Sequence, residues 1–521
     1  MSSHYDVLRD KLLSVRLDDG GAEEHATLGQ VLAWLSGDRT ISFAALQPHQ
    51  RHPWHAFLVQ IGAIALERAG HSVLPTEPEA WDELLLALTD GSREPWCLVV
   101  DALDMPALLQ PPVPEGTLDV LKNRVTTPDA LDILLTTRNF DLKIQRAAEG
   151  TAEHWLLALV TKQTFEGFGG AGNYGVLRMN GGFGNRPCVA FAPNVRCSDR
   201  FRRDVAVWLE QRDALVERYG YDPTGPPLLW TVPWDGKTGI SQHSLHPFFI
   251  EVCRRIRLRP AEHGLLACTG TSARARIEST TANSGDTGDI WTPTQASQKK
   301  EGLAALTVSS AGFGYRKLHD VLFGDWIRPP SLALRSSDGE SPIVVVMALA
   351  RGQGKTEGYH ERRIPIPAKS RRFFAQAAGQ ELLGSRSKLQ LERAGEAGRK
   401  ALKPALCTLL QGVGDLDFRD SRVDPWLERL DARIDDRFFT ELFDAAPLDA
   451  DEARVRWDRI LVALLRKTFD EALGEAPMAS AHRHRTMAAA EARFRATLRK
   501  IFPEAVAPPT TKPTTTEQAH A

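Results

Sequence analysis

No apolar run in this sequence approaches the roughly 18 residues that a membrane span needs. The opening stretch, MSSHYDVLRDKLLSV, also lacks the apolar core of a signal peptide. Both absences predict a soluble, cytoplasmic protein with no membrane partner. Cysteine is scarce: Cys97, Cys188, Cys197, Cys253, Cys268 and Cys407 are scattered, and none forms a CxxC pair. That leaves no readable structural zinc site and predicts reduced, mostly buried thiols. Neither charge sign dominates, with Lys+Arg 64 against Asp+Glu 66, a net charge of −2 and a pI near 6.7. Any nucleic-acid binding must therefore come from local basic patches rather than from the bulk field. There is no Gly-x-Ser-x-Gly elbow, no HExxH and no coherent set of nuclease carboxylates. These absences point away from an enzyme, only weakly since triads need not be local in sequence, and no catalytic residue, metal or cofactor is expected.

The composition that remains, 42% hydrophobic and 25% charged over 521 residues, is that of a globular chain. Single cores stop growing at roughly 250–300 residues, so two or more domains are expected. Residues 1–365 read as mixed α and β. Short β-branched runs such as 97-CLVVDAL-103 and 343-IVVVMALA-350 predict buried strands. A helix is predicted from Pro53, with Trp54, Phe57, Leu58, Ile61 and Ile64 on one face, and another over 245–257. Two stretches, 165–187 and 279–297, are rich in glycine or turn formers and read as functional loops. After Pro367 helical periods take over, carried by Trp426, Leu430 and Ile434, then Trp457, Leu461 and Leu464, then Phe494, Leu498 and Ile501. The fold class is thus α+β: a large mixed α/β N-terminal domain, then a helical bundle over 366–504. The Pro/Thr-rich end, 505–521, reads as a disordered tail.

Four local patterns invite chemistry. In 351-RGQGKTEGYHERRIP-365, GKT follows a strand pattern, as in a phosphate-cradling loop that opens a helix. The position five residues before Gly354 is Leu349, not glycine, and Pro365 and Pro367 break any long helix. A nucleotide-hydrolysing enzyme using Gly354, Lys355 and Thr356 is therefore the alternative, not the leading reading. The same loop suits nucleic acid. Gly352 and Gly354 permit close backbone approach, Gln353 is flat and polar, and Arg351, Lys355, Arg362 and Arg363 bring phosphate-binding charge. An ordinary surface turn is the plainer reading. In 126–147, Arg138, Lys143 and Arg146 flank Asn139 and Phe140, a mixture suited to single-stranded RNA, or simply to a solvated helix end. His49, His52 and His55 recur every third residue, but Pro53 interrupts the helical face that a metal would need, so helix capping is the simpler role. The basic stretch 482–500 reads as a solvated helical face that would also suit DNA phosphates.

Five segments, in order, resemble the CasA family, the large subunit of the type I-E CRISPR Cascade surveillance complex. They are 47-QPHQRHPWHAFLVQ-60, 127-TPDALDILLTTRNFDLK-143, 247-PFFIEVCRRIRL-258, 285-GDTGDIWTP-293 and 346-VMALARGQGKTEGYHERRIP-365. The helical C-terminal region fits that family's four-helix bundle. The resemblance implies a non-catalytic subunit of an RNA-guided antiviral complex, one that works with other Cascade protein subunits, crRNA, double-stranded target DNA and a helicase–nuclease effector. It would recognise the protospacer-adjacent motif (PAM) on duplex DNA, begin unwinding and recruit the nuclease. It further implies crRNA contacts at Arg138, Asn139, Phe140 and Lys143. DNA and PAM contacts would fall at Gly352, Gln353, Gly354, Lys355 and Thr356, with Gln353 as a wedge, and the Gly-rich segment 169–184 would face DNA too. Some relatives carry a lysine just before the GDTGD-like segment. Here only Arg274 and Arg276 stand nearby, and Arg276 is taken as the substitute. A scaffold that never touches DNA is a further reading.

Overall fold

The computed structural model describes residues 4–17, 20–134, 150–181, 185–279, 284–298, 301–352, 355–477 and 483–506. The chain divides into two compact units. One comprises Met1–Phe313 with Asp325–Ile366, and the other Gly314–Gly324 with Pro367–Ala521. The expected tail from 505 is described only through the short helix Pro503–Val506.

The first unit is mixed α and β, with small sheets rather than one large one. Its central strand is Ile343–Gly352, whose run from Ile343 to Ala348 is buried throughout. A continuous apolar run of this kind needs partners on both edges. It has them: Cys188–Ala192 pairs on one side, from Ile343↔Ala192 to Met347↔Cys188, and Lys355–Pro365 on the other. Both of these pairings are antiparallel. Leu13–Leu17 lies between Glu23–Ala26 and Ile41–Phe43, and Leu265–Gly270 lies between Asn123–Val125 and Arg255–Pro260.

Helices pack beside these sheets. Arg51–Ala69 starts two residues before the predicted Pro53, on a 3-10 turn over Pro48–Gln50. It is buried on nearly all sides from Pro53 to Leu66 and stops at Gly70, whose φ of +66° suits glycine. Ala152–Phe165, capped by the Thr151 hydroxyl, and Cys197–Tyr219 complete this layer.

Two predicted elements are absent for a common reason. Leu98 to Ala102 forms no sheet strand because guanidinium groups take its carbonyls. Arg257 donates to Val100 and Ala102, and Arg259 to Val100 and Asp101. Residues 245–257 form no helix. Gln60 instead donates to the carbonyls of Phe248 and Phe249, Gln163 accepts from the amides of Cys253 and Arg254, and the chain then enters the strand Arg255–Pro260. Buried side chains thus satisfy backbone groups that a helix or sheet would otherwise pair.

Buried ion pairs join distant parts of this unit. Arg178 meets Glu251 at 2.9 Å, Arg186 meets Asp289 at 2.5 Å, and Arg203 grips Asp338 through two nitrogens at 2.6 and 3.1 Å. The second unit is helical. A nearly continuous run over Ala377–Gln411 carries one π turn, and Asp424–Asp444, Ala450–Glu475 and Arg483–Ile501 make up the remaining long helices. Tyr315–Phe323 belongs with them: its Tyr315 amide and hydroxyl donate to Asp435 and Asp431, and its ring lies 4.9 Å from Phe438.

Removing Asp338 would leave the buried Arg203 guanidinium with the Ser331 and Ala333 carbonyls and one 3.4 Å contact to Asp204. Asp338→Ala is expected to cost about 3 kcal/mol, the range for breaking one side of a buried pair. A lowered urea-unfolding midpoint with an unchanged slope checks it.

Candidate nucleic-acid interface

The two long strands form a hairpin whose last pair is Gly352↔Lys355. Gln353 and Gly354, which connect them, lie outside the described residues, as does the Lys355 side chain. Just below the tip the register shifts between Ala350 and Arg351, a bulge of the kind that re-aims a strand end. At this level the hairpin is tied down. Thr356 is buried, and its hydroxyl donates to the Ile133 carbonyl at 2.8 Å. Arg351, from the other strand, donates to the same oxygen at 3.3 Å. Burial lowers the pKa of Arg351, against the opposing pull of Glu166.

Ile133 sits two residues before the segment 135–149, which contains Arg138, Asn139, Phe140 and Lys143 and lies outside the described residues. The two ends of that segment are fixed at one place. Asp132 accepts from His49 Nε2 at 2.6 Å, from Gln50 Nε2 at 2.7 Å and from the Leu134 amide at 2.9 Å. At the far end, Gly150 packs so closely on Pro128 that a Cβ there would lie 2.2 Å from the ring. Two candidate contact segments, distant in sequence, therefore spring from one anchored point.

The glycine-rich and GDTGD stretches are not free loops where they are described. Gly175 lies against the Gly167 backbone, and Gly285, at φ +79°, lies against the Asn180 amide, where a Cβ would come within 2.5 Å. Asp289 holds Arg186, Asp286 accepts from the Tyr219 hydroxyl at 2.6 Å, and Trp291 is fully buried with its indole N–H on Asp204. The stretch predicted as a loop over 279–297 is thus a core segment from 285 to 293. Residues 182–184 and 280–283 lie outside the described residues.

Arg276 is 4% exposed, and its guanidinium donates to the carbonyls of Leu229, Val232 and Pro233 beside the Trp234 ring. Burial pulls its pKa down to about 10. Of the two nearby arginines it is Arg274, 69% exposed, whose cation faces solvent, with a long contact to Glu278. The strand Lys355–Pro365 occupies the place where a phosphate-cradling GKT loop would open a helix, so the nucleotide-hydrolysing alternative lacks its helix N-terminus.

The three histidines part company. His49 meets Asp132, His55 meets Asp204 at 2.9 Å, and His52 packs edge-on against Phe165 and Trp291 with no hydrogen bond at either nitrogen. Among the described residues no cluster of His, Cys, Asp and Glu is arranged to hold a metal. Nor is any described helix long and apolar enough to cross a membrane. Sequence reading missed the Ile133 anchor, because a main-chain acceptor carries no side-chain signal.

No family model and no curated protein sequence matches the chain. Solved structures do. Cse1 from Thermobifida fusca matches at a TM-score of 0.69 with 16% identity, covering 96% of this chain and 99% of that one. CasA (Cse1) from Thermus thermophilus matches at 0.63 with 14% identity, covering 96% and 100%. CRISPR-associated protein Cse1 from Acidimicrobium ferrooxidans matches at 0.63 with 14% identity, covering 97% and 99%. The chain has the Cse1 fold over nearly its whole length.

The His52–His55 pair gives a pH prediction. Burial, then the Arg200 cation, pushes His55 from 6.5 to about 4, and His52 is also pushed well down, first by burial. The unfolded chain binds protons below about 6.5 that the folded chain refuses, so stability present above that pH is lost as pH falls toward 4. His55→Gln keeps a donor for Asp204 and removes one titration. Its thermal midpoint should fall less steeply between pH 6.5 and 4 than that of the parent.

Proposed function

We propose that this chain is the large, non-catalytic subunit of a type I-E Cascade, an RNA-guided antiviral DNA surveillance complex of the cytoplasm. The observation that carries this reading is the likeness of fold to CRISPR-associated Cse1 proteins over nearly the whole length of both chains. In such a complex, base pairing with the guide reads the target sequence, while the protein reads only a short flanking motif.

The hairpin tip is assigned to duplex DNA. Gln353 enters the minor groove beside the motif as a wedge, Gly352 and Gly354 let the backbone approach, and Lys355 meets phosphate. Opening one base step costs a few kcal/mol, an amount that contacts to the opened duplex can offset. Arg138, Asn139, Phe140 and Lys143 are assigned to the crRNA handle, with cations for the backbone and the ring for a base. The shared anchor at Ile133 supports this pairing of roles, since it sets both segments from one point. Two expected contacts take supporting roles instead. Thr356 holds the hairpin to Ile133, and Arg276 holds the 229–233 turn, leaving Arg274 as the cation beside the groove. Other Cascade protein subunits, crRNA, double-stranded target DNA and a recruited helicase–nuclease complete the set of partners.

Duplex binding by the reconstituted RNA-containing complex, with and without this chain, over a randomised flanking motif tests the reading. Motif-dependent binding should vanish without the chain, while pairing of the guide to single strands survives. Within that assay Gln353→Ala should impair unwinding of duplex far more than binding of a pre-melted target. Equal loss on both substrates would remove the wedge role.

A further inference from the structure

A cavity of about 420 Å³ opens in the first unit between the strand Ile41–Phe43, the start of the helix Arg51–Ala69, the turn at Asn194–Cys197 and the flank of the long hairpin. That volume is within the range of small-ligand pockets, roughly 300–1,000 Å³. Its charged lining is of one sign. Arg51, Arg196, Arg200 and Arg363 face it, and among the described residues no Asp or Glu lines it. Glu361 neutralises part of this from behind, touching both Arg51 and Arg363 at 2.9 Å. Arg196 is exposed and makes no ion pair among the described residues.

Arg200 is the most informative of the four. It is 9% exposed, yet its guanidinium makes one hydrogen bond, to the Cys188 sulfur at 3.0 Å, and its Nε, buried and without a hydrogen bond, stands 3.6 Å from Asp204. A guanidinium has five donors, and a thiol is a weak acceptor. Asp204 balances the Arg200 charge from one side, while the thiol leaves most of its donors free to meet an anion with acceptor oxygens. Phe43, Leu46 and Met347 form an apolar stretch of the wall beside the polar Thr40, Ser42 and Asn194, so the cavity can hold a flat body attached to the anion.

We propose that this cavity receives one nucleotide of a single-stranded nucleic acid, its phosphate on Arg196, Arg200 and Arg363 and its base against Phe43 and Leu46. The inference rests on the nucleic-acid reading given above. What favours a nucleotide over an acidic peptide is continuity with the hairpin. Val345 and Met347 line the cavity from the strand that leads to the tip, and Val345 lies about 23 Å from Gly352 at roughly 3.3 Å per residue. A strand released at the tip runs along the same hairpin to reach it. All four cations are arginines, whose planar fork matches phosphate oxygens in pairs.

The test uses the full chain and a labelled oligothymidine containing 5-iododeoxyuridine, read by fluorescence anisotropy and by photocrosslink mapping. Arg196→Glu reverses an exposed charge, and Ser42→Trp fills the cavity without altering charge. Unchanged thermal midpoints confirm that both fold. Each variant is expected to weaken single-strand binding roughly tenfold, with crosslinks in 40–46 or 194–200 of the parent. Unchanged affinity in both variants, or crosslinks confined elsewhere, overturns the inference. So does an acidic, leucine-containing peptide that binds the parent and loses affinity in the variants while the oligothymidine does not. Duplex binding by the complex is measured in parallel. If it responds to Gln353→Ala while single-strand binding ignores both cavity variants, the pocket is overturned and the subunit reading stands. If the full chain binds no single strand, the pocket inference falls whatever the duplex result.

Discussion

Buried arginines hold the first unit together. Arg178, Arg186, Arg203, Arg257 and Arg276 are almost wholly removed from water, and each one either grips a carboxylate or spreads over several main-chain carbonyls. A buried charge of this kind is tolerable only when it is paired or hydrogen-bonded. Each pair therefore fixes two or more segments at once. Arg186 ties the end of the glycine-rich stretch to the GDTGD stretch, and Arg203 ties the long helix Cys197–Tyr219 to the turn at Asp338. With sheets of only two or three strands, such point attachments do much of the work that a continuous ladder does elsewhere.

The same economy shapes the candidate interface. Its contact segments are short and rich in polar residues. What positions them is a small set of oriented bonds beneath them: Asp132 with His49 and Gln50, and Ile133 with Thr356 and Arg351. Contacts on a loop are only as well placed as their footing. Here the footing is a paired hairpin on one side and the buried start of a helix on the other.

Periodicity made some of this legible in the sequence. The β-branched run from Ile343 is a buried strand, and the repeats around Trp426, Trp457 and Phe494 are helices. Short apolar runs without a clear period misled. PFFIEVCRRIRL fits a helix, a strand or an irregular core segment equally well, and the side chains that decide, Gln60 and Gln163, lie far away in sequence. The GDTGD stretch looked like a loop because its partner, Arg186, is remote. Of the candidate site, the glycine–glutamine tip and the basic segment stand out as residue types, and the family resemblance implies roles for them. Arg276 looked like a surface cation, since nothing local shows that three carbonyls await it.

The helix Tyr315–Phe323 has a consequence for how the chain is made. It is flanked on both sides by residues of the first unit, yet its apolar face, Tyr315, Leu318, Val321 and Leu322, is covered within the second. The residues that receive Tyr315, Asp431, Asp435 and Phe438, are synthesised well after it. At roughly 5–20 residues per second of translation, that interval lasts several seconds to a few tens of seconds. During it the first unit can be complete while carrying an uncovered amphipathic helix. A fragment ending at 366 would keep that helix uncovered permanently, so the boundary in space is not a place where the gene can be cut.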